Sequence, residues 1–293
     1  MTSELTILDG GMGQELMRRG AEETVLWSAW ALLFNPELVS ETHDAYLAAG
    51  ADILTTNSYA TFADRFDKIQ IPGDAEKLTR LAGRLARESA DAADRDIEVA
   101  GSLPPLRNSY NPDPGATVAE LEAEYTVMVE HLDDYVDMFI CETMGARVEA
   151  EAAANAARRS GKPVWVAFTL QGGTGRHLLD GTTFEAAVKA APAEAYLLNC
   201  STPEQISAAL PLLVKAAKGV PVGAYANAFH EMPVGWSGRA GDLLPGPRDD
   251  MDAQRHVDVV RDWIEMGATI VGGCCEIGPS HIAAMTRALR PTT

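Results

Sequence analysis

Short apolar runs rich in branched residues alternate along the chain with longer polar stretches whose apolar positions recur at helical spacing. Eight such runs occur, over 5–8, 53–57, 99–103, 136–141, 164–170, 195–199, 220–224 and 269–272. Between them the pattern predicts helices, among them 36–49, with Asn35 as cap and Pro36 in the first turn, and 75–93. Two joints, around Gly50 and Gly267, place glycine where a helix ends and a strand begins. The runs lack the polar alternation of a one-sided sheet, which fits parallel strands covered on both faces. Eight repeats of strand then helix predict an α/β protein of (β/α)8 TIM-barrel type, with an open doubly wound sheet as the alternative.

Composition narrows the partners. The 293 residues carry Lys+Arg 24 against Asp+Glu 42, a net charge of -18, which argues against nucleic acid because phosphate binding needs a basic patch. No apolar run approaches the ~20 residues of a membrane helix, and the first ten residues are neither basic nor apolar, so a cytoplasmic protein is expected. No linker divides the chain, which predicts one domain over 1–293. The Gly/Pro-rich stretch 233–248 reads as a long loop. A monomer or loose homodimer is expected.

In a barrel of this kind, active sites lie where strands end and the following loops begin. All four cysteines, Cys141, Cys200, Cys274 and Cys275, fall at such positions. They can be buried small hydrophobes, a metal site or a redox pair. Adjacent residues on a regular strand point to opposite faces, so Cys274 and Cys275 can share one ion only where the strand breaks, and Gly272-Gly273 permits that. Cys200 would supply a third thiolate. Three protein ligands and one open position describe a catalytic zinc. Cys141 is read as inert.

Several segments together resemble the zinc-dependent homocysteine S-methyltransferases. They are Asp9-Gly10-Gly11-Met12-Gly13, Thr55-Thr56-Asn57-Ser58-Tyr59, Gly101-Ser102, Glu142-Thr143, Asn199-Cys200-Ser201 and Gly272-Gly273-Cys274-Cys275, in the family's order across nearly the whole chain. The resemblance implies a zinc ion held by Cys200, Cys274 and Cys275, and homocysteine bound as a thiolate at the open position. It also implies Asp9 and Glu142 as partners of the substrate ammonium and Gly10, Gly11 and Met12 as the segment receiving its carboxylate. Trp27, Ser28 and Tyr59 match positions near the transferring methyl. Asn227 is a candidate for a substrate carboxylate or a water, or a turn-former.

The methyl donor implied is a small methylated onium compound, since cations of this kind are attracted to aromatic faces. Betaine-using relatives carry an aromatic after the strand-four glutamate, where this chain has Thr143. That departure favours a sulfonium such as S-methylmethionine or S-adenosylmethionine over betaine. The loops that continue over 106–110 and 225–228 also depart from the family and face the expected donor side. The remaining alternatives are methylcobalamin supplied by a partner, and a zinc-binding or redox module without turnover. His43, His131 and His256 are read as packing or solvated helical residues.

Overall fold

The computed structural model describes residues 5–24, 26–63, 74–110, 113–231 and 245–290. Eight parallel strands are present: β1 (Thr6–Ile7), β2 (Ile53–Thr55), β3 (Glu98–Leu103), β4 (Met138–Met144), β5 (Val164–Phe168), β6 (Ala195–Asn199), β7 (Val222–Tyr225) and β8 (Ile270–Val271). They pair in the order β1-β8-β7-β6-β5-β4-β3-β2. A parallel bridge from Leu8 to Ile53 brings β1 back to β2, so the sheet curls into a (β/α)8 barrel. Most of the predicted loop 233–248 lies outside the described residues. No helix among the described residues is long and apolar enough to cross a membrane.

Side-chain parity on the strands separates two cores. One face of each strand fills the barrel interior with Leu8, Ile53, Ala100, Met138, Ile140, Ala167, Leu197, Tyr225 and Ile270. The other face packs under the helices, with Val99, Phe139, Cys141, Val166 and Val271 in the outer core. Because the period is two, the interior row on β4 continues to Glu142 and that on β3 to Ser102. Cys141, one residue out of phase, faces the helices.

At the amino ends of the strands the polar residues follow a repeat. Asp52, just before β2, donates its N–H to Ile7 O and accepts the Ile7 N–H on its carboxylate at 2.8 Å. Asp137 before β4 does the same with Val99, and Glu194 before β6 with Val164, each at 2.8 Å. Arg290 grips Asp52 through both guanidinium arms, and Arg87 pairs with Asp137. Part of the acidic excess is thus structural.

The helix predicted over 36–49 is Glu37–Ala49, and the cap differs from expectation. Pro36 occupies the N-cap with no side-chain hydrogen bond, while Asn35 ends the preceding short helix, Ala29–Phe34. A turn of helix runs directly into the next one, so Asn35 has no free first turn to cap. The second predicted helix spans Ala75–Asp91, with Asp74 accepting the Lys77 N–H. Gly50 and Gly267 adopt φ of 97° and 108°, the left-handed conformation that ends a helix without a Cβ clash.

Candidate metal centre

The carboxyl ends of the strands bring three sulfurs together. Sγ atoms of Cys200, Cys274 and Cys275 all lie within 4.8 Å of one another, and Cys275 is 3.9 Å from each of the other two. All three are free thiols. β8 ends at Val271, and the chain turns so that adjacent cysteines face the same point, as their pairing on one ion requires. Gly272 and Gly273 make the turn possible, because a Cβ on Gly273 would sit 2.1 Å from Ile277 Cγ2. Cys200 follows β6 with φ of 49°, and its N–H reaches Tyr225 O at 3.3 Å. Cys141 is fully buried, apart from the trio, and burial pushes its thiol up.

The three thiols are unequal. Hydrogen bonds from Cys274 and Cys275 hold the Cys200 thiol well below the ordinary range, and the same bonds push their own upward. Tyr110, which the sequence reading did not single out, places its hydroxyl 3.1 Å from Cys200 Sγ. Asn227 Oδ1 accepts the Phe229 N–H at 3.3 Å, the contact of a turn-former.

Two carboxyls sit in the same rim. Asp9 accepts the Thr55 N–H at 2.7 Å and its hydroxyl at 2.9 Å, and these bonds continue the β1–β2 contact. Glu142 accepts hydrogen bonds from Ser102 Oγ and, at 3.4 Å, from Tyr225 OH. Burial raises each to about 7, and for Asp9 the neighbouring Glu142 adds to the rise. Two acids close enough to repel, Asp9 buried and Glu142 half-buried, favour a cation between them.

Local backbone positions Glu142. The β4–β5 register shifts between Cys141 and Met144, and Thr143 takes φ of 60°. Asn199 clasps it from β6, two strands away: Thr143 N–H donates to Asn199 Oδ1 and Asn199 Nδ2 donates to Thr143 Oγ1, both at 3.0 Å. Thr143, Cys200, Trp27 and Glu276 are four of the non-glycine residues at positive φ, and such strain persists where surrounding structure over-determines it.

The remaining predicted residues lie on flanking loops. Gly10 and Gly11 pack against the loop after β8, since a Cβ would meet Ile277 O at 2.2 Å and Cys274 O at 2.6 Å respectively. The Gly11 N–H goes to Ile277 O at 2.9 Å, so that donor is occupied within the protein. Met12 opens the helix Met12–Arg18. The indole of Trp27 lies over Gly13, and Ser28 holds Asn57 through its carbonyl while its buried Oγ finds no partner among the described residues. Tyr59 OH meets Ser109 Oγ at 2.6 Å. Ser102, Asn199 and Tyr225 were missed as site residues, although parity along their strands points them into the rim.

The sequence profile described as homocysteine S-methyltransferase matches residues 6–289. A homocysteine S-methyltransferase of Escherichia coli (strain K12) is 32% identical, the match covering 96% of this chain and 94% of that protein. A selenocysteine methyltransferase of Astragalus bisulcatus is 30% identical over 97% of this chain and 92% of its own. The crystal structure of the Escherichia coli homocysteine methyltransferase MmuM in its metallated form superposes with a TM-score of 0.81 at 28% identity, covering 98% of this chain and 97% of that one.

Proposed function

The chain belongs to the homocysteine S-methyltransferase family, and from that premise we propose that it makes methionine with zinc at Cys200, Cys274 and Cys275 and a sulfonium methyl donor. The observation that carries this reading is the meeting of three sulfurs from two distant strand ends. Four sulfurs at a Zn–S distance of ~2.3 Å stand about 3.8 Å apart in a tetrahedron. The two 3.9 Å separations match such edges before any ion is placed. Soft thiolates select zinc among the common divalent ions. Zinc bound there would keep the homocysteine sulfur deprotonated at neutral pH, where a free thiol titrating near ~8.5 is mostly protonated.

The chain's own residues bind and orient. Asp9 and Glu142 receive the ammonium of homocysteine, and its charge draws both carboxyls into the ionised form. Ser102, Thr55 and Tyr225 keep those carboxylates aimed. The substrate carboxylate lies toward Gly10 and Met12, since the Gly11 amide already has a partner. Trp27, Ser28 and Tyr59 line the donor side, and Asn227 borders the sulfurs.

The homocysteine sulfur attacks the donor methyl carbon in line, forming one C–S bond while the methyl–sulfonium bond breaks. The departing thioether keeps that electron pair and leaves neutral, so no general acid is required. Positioning supplies the catalysis. Thr143 supports a sulfonium over betaine: it is buried and tied to Asn199, and it offers no aromatic face to a quaternary ammonium.

The test is metal analysis of reduced protein together with methionine formation from homocysteine and a donor panel. S-methylmethionine or S-adenosylmethionine is expected to serve, with Cys274→Ser inactive. Turnover with betaine or methylcobalamin alone would overturn the donor assignment. Metal-free protein that still makes methionine would overturn the zinc site. We further place the whole chain, 1–293, in one cytoplasmic barrel domain that runs as a monomer or loose homodimer on size exclusion.

A further inference from the structure

Tyr110 lies at the end of a segment that follows β3 and is tied down along its length. Tyr125 OH donates to Pro104 O at 2.8 Å, Arg107 grips Glu124 through two arms at 2.9 and 2.5 Å, and Ser109 meets Tyr59. The phenol is thereby delivered to Cys200, with its oxygen 3.1 Å from Sγ and 3.3 Å from the carbonyl oxygen of the same residue.

A phenol has one proton to place. While Cys200 carries a proton of its own, its S–H can donate to the tyrosine oxygen and the phenol can serve the carbonyl. As a metal ligand the sulfur is a thiolate, which can only accept, and a charge-assisted bond is roughly twice as strong as a neutral one. The phenol proton then belongs on the sulfur. The trio is unequal in this respect: Cys200 has the Tyr110 hydroxyl beside it, whereas the hydrogen bonds of Cys274 and Cys275 run to neighbouring sulfurs.

We propose that Tyr110 is a positioning residue that donates a hydrogen bond to the Cys200 thiolate and disperses charge from the three-sulfur centre. The inference rests on the metal reading above. Three thiolates on a dication leave about one negative charge, and a fourth from the substrate makes it two. A donor at one sulfur makes that accumulation less costly in a buried site, so the centre holds its metal more tightly. Partners of this outer kind are typically worth 10–100-fold in metal affinity.

Cobalt(II) is the probe, because its sulfur-to-metal charge-transfer band reports the electron density on the ligands. Tyr110→Phe keeps the ring and removes the donor. It is expected to bind one cobalt with affinity lowered at least about 10-fold and with the band moved to lower energy. Band energy does not depend on the folded fraction. Should Tyr110→Phe fail to fold, 3-fluorotyrosine at 110, a stronger donor, is expected to move the band to higher energy. Ser109→Ala loosens the same segment without touching the sulfur and is expected to leave the band in place. An unmoved band and unchanged affinity in Tyr110→Phe, or an equal shift in Ser109→Ala, would overturn the role of Tyr110. Failure of the unaltered protein to bind stoichiometric cobalt would instead overturn the three-sulfur centre.

Discussion

Removing the Asn199 side chain tests how one residue holds both halves of the site. Asn199 precedes Cys200 and clasps Thr143, the residue after Glu142, through two hydrogen bonds of 3.0 Å in a fully buried setting. In Asn199→Ala both bonds disappear, at roughly 1 kcal/mol each, and a buried Thr143 N–H is left without a partner at a further ~1–3 kcal/mol. Part of this is recovered, because a threonine at φ of 60° costs on the order of 1–2 kcal/mol and is free to relax once released. The net expectation is a loss of about 2–3 kcal/mol. Urea unfolding should show it as a lower midpoint at constant slope. The Michaelis constant for homocysteine should rise as Glu142 loses its aim. Thr143→Gly supplies the control, since glycine tolerates the left-handed conformation without a clasp. Its cost should be smaller by about 1 kcal/mol or more in the Asn199→Ala background than in the unaltered protein. If the two changes add within ~0.5 kcal/mol, Asn199 does not hold Thr143 in its strained conformation and the reasoning fails.

Buried His43 has no hydrogen-bond partner among the described residues, and burial lowers it from 6.5 to about 4. The unfolded chain takes up that proton first, so stability present above pH 6.5 is lost as pH falls toward 4, by about 3 kcal/mol. His43→Leu should flatten the acid limb of a stability–pH curve, and an unchanged limb would count against the assignment. Asp9 and Glu142, both raised to about 7, disfavour the substrate-free fold as pH rises from their ordinary range through 7, and the ammonium relieves this. Homocysteine affinity should therefore fall as pH drops below 7, with proton release on binding seen by calorimetry in buffers of different ionisation enthalpy. A pH-independent affinity would refute the carboxyl pair as the ammonium site. Gly11→Ala forces a Cβ to within 2.6 Å of Cys274 O and should lower metal content, whereas Gly246→Ala, with open space around its Cβ and no left-handed backbone, should not.

The chemistry-bearing cysteines were legible because each stands where an apolar run stops, and the run itself locates the rim. The carboxyls Asp9 and Glu142 and the residues of the proposed donor side entered through resemblance rather than pattern. Asn199, Ser102 and Tyr225 escaped, although period-two counting inward from Leu197, Ala100 and Gly223 would have aimed them at the same rim. Tyr110 escaped for a different reason: its segment has no periodicity, and its contact with Cys200 spans 90 positions of sequence. The apolar run of strand four stops at Cys141, yet strand pairing resumes beyond the bulge as far as Met144. Asn35 was misread because a proline after a cap-type residue usually opens a helix, and here a second helix ends on that residue.

The paired carboxylates at the far end of the barrel make it a set of fastened couples rather than equal staves. Asp52 joins the first two strands, Asp137 the next two and Glu194 the third two, each by a reciprocal exchange with one residue. New chain termini opened after β2, β4 or β6 would leave every rivet within one fragment. A cut inside a couple would put its two halves on separate pieces, so fragment complementation should succeed at the first kind of site and falter at the second.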